Sequence, residues 1–394
     1  MLISPTRRYV LARYVLAAGA AALAAAFAAP ALAQNTFKIG TILSVTGPSA
    51  FLGEDMKKGM ELAVEQINAK GGVNGKKIEW IMYDAESQTT KGINSTKRLI
   101  EQDKVDMIVG GGNNSGIAMA MVPLIEAAKI PFISTEGAMG IVHPVKDRQF
   151  SFKSTVDDDQ VIERLSDYFA KKNITNIALI HDSSGFGQSA VEQMKKVAVA
   201  RKLNVTYESF NPADTDLTPQ LTRIKSSPAQ AIICWTVTPA GVVFLKQAQQ
   251  LGLTDRQIIH SYGFVSQRYM QMSGDATKGL LLASVKFPVG DQLPAADGTK
   301  PAISALQDAF RKKYNAEPNQ FVAQTYDAIN LAALVLAKAG NDKTKIRDGL
   351  RDIKGFKGAG GTFNFAADRH SGLAKNDLVL VQWDGNRFTL ADYE

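Results

Sequence analysis

The order in which strand-like and helix-like stretches follow one another constrains this chain more than any other feature. Residues 37–43 read as a strand, and a helix beginning near Glu54 puts Met56, Met60, Ala63 and Ile67 on one face. That helix stops at Gly71-Gly72, because glycine tolerates the left-handed turn that ends a helix. Strands over 77–83, 105–109 and 130–133 and helices over 90–102 and 114–128 complete a first series. After Phe150-Ser151-Phe152-Lys153 a second series begins. Helices over 157–172, 189–201, 218–225 and 240–251 alternate there with strands over 177–180, 205–210, 231–235 and 257–260. Alternation of this kind lays parallel strands side by side under helices on both faces. The expected class is therefore α/β, with two doubly wound parallel-sheet lobes. The tail holds strand-like pieces over 281–287, 362–365 and 378–383, helices over 301–315 and 321–339, and a hairpin turn at Asp384-Gly385-Asn386. These residues alone do not assign the tail to either lobe.

The first 33 residues stand apart. Arg7, Arg8 and Arg13 form a basic head, an alanine-rich apolar stretch follows, and Ala31-Leu32-Ala33 fits a small-x-small cleavage site. Residues 1–33 are expected to be a signal peptide cleaved after Ala33, and Thr6-Arg7-Arg8 leaves both the general and the twin-arginine export routes open. Loss of those three arginines lowers the net charge from +7 to +4, too mild and too scattered for nucleic-acid binding. The single cysteine, Cys234, lies in an apolar run and cannot form an internal disulfide. No cysteine follows the cleavage site to carry a lipid, so an unanchored protein of the periplasm is expected.

In open parallel sheets, ligands sit at the carboxyl ends of the strands. One such end reads Val109-Gly110-Gly111-Gly112-Asn113-Asn114-Ser115-Gly116. A dinucleotide fingerprint would need a glycine where Ser115 stands, and a P-loop would need Gly-Lys-Ser/Thr. What remains is a helix N-terminus with free amides and with Asn114 or Ser115 beside them, suited to one small anion such as a carboxylate. The plainer alternative is that Asn114 only caps the helix. The next strand end, Ser134-Thr135-Glu136-Gly137-Ala138, brings small residues and hydroxyls toward the same point. Glu136 would repel a carboxylate there, so it is expected to turn to solvent or to meet a cationic or amide group of the ligand. Phe186, Trp235, Tyr262 and Phe264 recur at strand ends of the second series, as an apolar clamp would require.

Catalytic constellations are poor. His143, His181, His260 and His370 lack metal-ligand spacing. The run Asp157-Asp158-Asp159 opens a helix, where the dipole alone accounts for acids. Ser183 and Ser184 near His181 lack a nucleophile elbow. No catalytic residue, metal site or cofactor is expected.

The chain resembles the periplasmic solute-binding proteins of branched-chain amino acid ABC transporters, the leucine/isoleucine/valine-binding family. The resemblance is carried by Thr46-Gly47-Pro48-Ser49-Ala50 with Gly53, by Ala63 through Gly72, and by Asp84. It continues in Pro131-Phe132-Ile133-Ser134, Phe186-Gly187, Asp214-Thr215-Asp216-Leu217, Gln247-Ala248 with Leu251-Gly252-Leu253, and Tyr326-Asp327-Ala328. It implies the type I periplasmic binding fold, two lobes joined by a three-crossover hinge that closes on a ligand. Residues 34–154 with 286–374 would form one lobe and 155–285 with 375–394 the other, with hinges near Ser154, Val285 and Leu373.

The resemblance also implies a ligand carboxylate held by Asn114 and Ser115 and by Glu136, Gly137 and Ala138. Ala138 stands where amino-acid binders often carry a hydroxyl. Aromatic contacts fall on Leu52, which has no ring, and on Phe186. The acid that takes the ligand ammonium in leucine-type binders is matched by Tyr262. An ammonium without a counter-charge is costly in a closed cleft. A hydrophobic or branched-chain amino acid would thus need Glu136 or another acid. An aromatic acid lacking the amino group would not, and would lie beside Tyr262 and Trp235. The implied partners are that small molecule and an inner-membrane ABC permease, with the protein a monomer. A ligand sensor serving a receptor is the competing non-enzymatic reading, and an enzyme on the same fold is a third.

Overall fold

The computed structural model describes residues 36–392; the signal peptide expected over 1–33 and the cleavage expected after Ala33 lie outside them. The first series forms β1 (Thr36–Leu43), α1 (Ala50–Ala69), β2 (Lys77–Asp84), α2 (Thr89–Glu101), β3 (Met107–Gly111), α3 (Ser115–Ala128), β4 (Phe132–Ser134) and β5 (Ser151–Lys153). Its strands are parallel in the order β2-β1-β3-β4-β5. The second series forms α4 (Asp158–Lys171), β6 (Asn176–Asp182), α5 (Gly185–Arg201), β7 (Asn204–Phe210), α6 (Thr218–Lys225), β8 (Ala231–Trp235), α7 (Ala240–Gln250), β9 (Gln257–His260), α8 (Gln267–Ser273) and β10 (Leu281–Val285). Here β7-β6-β8-β9-β10 repeats the winding of the first sheet. Each sheet thus reverses direction once, between β1 and β3 and between β6 and β8, and opens a crevice there.

The tail divides. Helices α9 (Lys300–Tyr314), α10 (Gln320–Ala339) and α11 (Lys343–Arg351) are followed by a small hairpin, β11 (Phe356–Lys357) with β12 (Thr362–Phe363). Of these, α10 packs along α1 and against β3 in the first lobe. The last strands, β13 (Leu378–Trp383) and β14 (Phe388–Asp392), join the second sheet beside β10. Both pairings, β10 with β13 and β13 with β14, are antiparallel. The second sheet is therefore mixed rather than wholly parallel. A hairpin-linked pair can extend a parallel sheet only from its edge, since a parallel addition would need another crossover helix.

Interior strands β3 and β8 are buried along their whole length, as continuous apolar runs between two helical layers must be. Helix α11 was not legible from apolar spacing, because its nine residues bury only Ile346 and Leu350. Its start is set by Asp342, whose carboxylate accepts from the Thr344 and Lys345 amides, both at 3.0 Å. Strand β3 runs two residues past Val109. The β1–β3 register shifts between Thr41 and Ile42, and Gly110 takes up the bulge at φ +92°.

Candidate functional site

The glycine turn after β3 holds a carboxyl group, and the group belongs to the protein itself. Glu136 is buried, and its Oε1 accepts from the Gly111 amide at 2.9 Å and the Asn113 amide at 3.1 Å. Thr135 Oγ1 donates to the same oxygen at 3.0 Å, while Oε2 accepts from Ser134 Oγ at 2.5 Å and the Thr135 amide at 3.0 Å. Burial pushes the Glu136 carboxyl above its usual range, against the pull of these donors. Glu136 therefore does not turn to solvent. A glycine at 111 is required, since a Cβ there would stand 2.5 Å from Glu136 Oε2 and 2.6 Å from the Ala118 Cβ.

The cleft beyond this turn is lined from the first lobe by Leu52, Asn114, Ser115, Glu136 and Gly137. Asn114 caps α3, its Oδ1 accepting from the Gly116 amide at 2.8 Å. Ser115 Oγ accepts from the Ala138 amide at 3.1 Å, so its own proton is left to donate. Among the described residues, the amides of Ser115 and Gly137 donate to no protein acceptor. Two N–H groups and a hydroxyl with no protein acceptor thus belong to cleft-lining residues at a helix N-terminus. Helix α5 brings a second N-terminus to the same place, since a Cβ on Gly185 would lie 3.3 Å from Gly116 N and Cα. Two positive helix ends converge there.

The opposite wall is aromatic. Phe186, Tyr262 and Trp235 form a mutual cluster with centroids 5.5 to 5.9 Å apart, two of the three pairs edge to face. Phe186 and Tyr262 border the cleft, whereas Trp235 is fully buried behind them. Trp235 ends β8, packs against both rings and does not border the cleft. Ala138 likewise does not border the cleft: it is buried, with its amide spent on Ser115. Phe264 is buried too, stacked between His260 at 3.7 Å and Tyr269 at 4.0 Å.

Sequence reasoning missed Asn113, Met56, Val237, Thr238 and Phe321, all on the cleft surface. Asn113 carried a legible signal, a residue that tolerates positive φ directly after three glycines. Its φ is +59° and its Nδ2 donates to the Ser44 carbonyl at 2.8 Å. Phe321 comes from α10, far along the chain, and nothing local points to it.

Beneath the cleft lies a buried charge cluster. Lys153, fully buried at the end of β5, donates to the carbonyls of Gly137 at 2.5 Å and Val156 at 3.1 Å and pairs with Asp157 Oδ1 at 2.6 Å. Asp158, also fully buried, accepts from Tyr262 OH at 3.1 Å and from Ser189 Oγ. Burial pushes the Asp158 carboxyl up to about 7, against the pull of Lys153 and of the two hydroxyls. Burial and the Asp158 charge raise the Tyr262 hydroxyl well above its ordinary value, so it remains a neutral donor. The acidic run at 157–159 thus does more than answer a helix dipole.

Ser184 caps α5, accepting from the Phe186 amide at 3.2 Å and donating to Asp182 Oδ1 at 2.5 Å. His181 directs Nδ1 to the Asp182 carbonyl at 2.8 Å, and among the described residues no hydrogen bond joins it to Ser183 or Ser184. No cluster of metal-ligating side chains occurs among the described residues, and no helix there is long and apolar enough to cross a membrane.

Two lobes of like winding, with a cleft walled by residues of both, define a solute-binding protein of the hinged type. Comparison gives the family: the chain matches the periplasmic binding protein family over residues 36–387 and belongs to it. It is 27% identical to the leucine-, isoleucine-, valine-, threonine- and alanine-binding protein of Pseudomonas aeruginosa, over 90% of this chain and 91% of that one. Among solved structures, it is similar to the branched-chain amino acid transporter substrate-binding protein LivJ of Streptococcus pneumoniae, in complex with isoleucine. That match has a TM-score of 0.77 and 28% identity over 91% of this chain and 99% of that one. It also shares its fold with a solute-binding protein of an ABC transporter from Rhodopseudomonas palustris, in complex with 3,4-dihydroxybenzoic acid. There the TM-score is 0.77 and the identity 22%, over 90% of this chain and 96% of that one. The fold is that of the type I periplasmic binding proteins, and the protein is of the branched-chain amino acid transporter type.

Proposed function

We propose that the protein is the extracytoplasmic solute-binding component of an ABC importer, taking a small carboxylate between its lobes and delivering it to an inner-membrane permease. Residues 34–154 with 286–374 form the first lobe in this reading, and 155–285 with 375–394 the second. Export to the periplasm follows cleavage after Ala33, and the protein works as a monomer. The carboxylate lies against the Ser115 and Gly137 amides and the Ser115 hydroxyl, where two helix N-termini favour negative charge. The apolar body lies against Phe186, Tyr262 and Leu52.

One observation selects among carboxylates: every acid near the cleft is already committed. Both Glu136 oxygens are taken by turn donors, and Asp158 sits behind Tyr262 with both oxygens bonded. An α-ammonium would enter with no counter-charge to meet it, at a cost that a planar aromatic or simple organic acid avoids. The ligand is therefore an acid without an α-amino group, aromatic in body. A similar protein crystallised with 3,4-dihydroxybenzoic acid supports this choice, and one crystallised with isoleucine is the alternative to beat. A thermal-shift screen decides between them. Stabilisation by benzoic acids and none by leucine or valine supports the reading; the reverse pattern refutes it.

A further inference from the structure

Few polar bonds join the lobes near the cleft, and one lies outside it. Met139, just past the first-lobe loop that carries Gly137, donates its amide to Ser189 Oγ at 3.1 Å. Ser189 belongs to α5 in the second lobe and is buried. Its own proton goes to Asp158 Oδ2, while the other oxygen of Asp158 accepts from Tyr262 OH. Tyr262 is the ring whose hydroxyl lies against Gly137. The four groups close a circuit: cleft loop, Met139 amide, Ser189, Asp158, Tyr262, and back to the loop.

We infer that Ser189 is the closure latch of this protein, a positioning residue that touches no ligand and fixes the shut state through the Met139 amide. The chemistry is directional. Because Asp158 takes the Ser189 proton, the hydroxyl oxygen must present its lone pairs, and among the described residues the donor that reaches it from the other lobe is the Met139 amide. Asp158 also takes the Tyr262 proton, so the ring against Gly137 and the latch share one acceptor. When the lobes part, the Met139 amide loses its partner while Ser189 keeps Asp158. The bond thus counts only toward the closed state. This inference rests on the hinged, ligand-closing reading above, but its primary test needs no ligand.

The test is hydrogen exchange at the Met139 amide in the full chain, wild type against Ser189→Ala and Tyr262→Phe. Ser189→Ala should speed exchange there roughly 3- to 10-fold, the range expected for loss of one net hydrogen bond, with the melting temperature held within about 2 °C. Tyr262→Phe leaves Ser189 in place and should give a smaller rise at the same amide. Unchanged exchange in Ser189→Ala overturns the latch. So does a fall in melting temperature that accompanies equally faster exchange across all of α5, which marks a merely structural serine. Should Ser189→Ala fail to fold, Tyr262→Phe carries the test, and no rise at Met139 then overturns the inference. With benzoate or leucine as probe, Ser189→Ala should raise the dissociation rate and spare the association rate. If neither probe binds the wild type, the ligand reading fails while the exchange result still stands.

Discussion

The hydroxyl of Tyr262 and the α-carbon of Gly137 meet across the cleft so closely that a Cβ on Gly137 would lie 1.8 Å from the phenolic oxygen. The same Cβ would lie 2.9 Å from the Phe186 ring. Both clashes are between lobes, so they vanish when the lobes open. Gly137→Ala should therefore fold with a melting temperature near that of the wild type yet fail to close. Small-angle scattering without ligand would show a larger radius of gyration than that of the wild type. A variant as compact as the wild type would show that the contact yields.

Glu136 makes a contrasting prediction. Five donors converge on its two oxygens. Glu136→Gln turns one oxygen into a donor facing donors, which should cost roughly 2 to 4 kcal/mol of stability. Denaturant unfolding measures it. If stability is kept and only binding is lost, Glu136 is a ligand group and not a brace for the turn.

These two residues mark how far the sequence could be read. The alternation of elements, the helix at 115–128 with its Asn114 cap, and the convergence of two strand ends on one cleft were legible, since each depends on local spacing. The direction of Glu136 was not. Electrostatic reasoning set it against a carboxylate ligand and sent it to solvent or to a cationic or amide group of the ligand, whereas three glycines in a row leave room and amides for an internal carboxyl group. Trp235 was placed on the ligand because it ends a strand, but every residue of β8 is buried, and the Trp235 ring lies behind Phe186 and Tyr262. Lys153 and Asp158 lie only five residues apart, but that both are fully buried follows from packing that local spacing does not reveal.

Trp235 should accordingly act through packing. It is fully buried against Phe186 and Tyr262. Trp235→Ala should cost roughly 3 to 5 kcal/mol of stability through the cavity left behind. Phe186→Ala, with its ring at the cleft, should cost affinity more than stability. Paired denaturation and binding curves would separate the two. Equal effects on affinity would return Trp235 to the ligand.

Asp327 sets a pH dependence. It is buried in α10, accepting from the Ala359 amide at 3.0 Å and the Gly360 amide at 2.6 Å, and burial pushes its carboxyl up to about 7. A folded-state value above the unfolded one means that the folded protein holds the proton longer, so stability falls as pH rises from about 4 to about 7. Against Asp327→Asn, which cannot titrate, the wild type should lose on the order of 1 kcal/mol per pH unit across that window. Urea unfolding at pH 5, 6, 7 and 8 would show it. A constant difference between the two proteins would mean that Asp327 does not titrate there.

The most direct measurement is calorimetric titration of the mature protein, freed of co-purified ligand, with benzoate and with leucine in parallel. The account predicts saturable 1:1 binding of benzoate and no heat from leucine, because Glu136 and Asp158 are both spent inside the protein. Tight binding of leucine with none of benzoate would contradict it, and would mean that some acid gives up its partners to meet an ammonium.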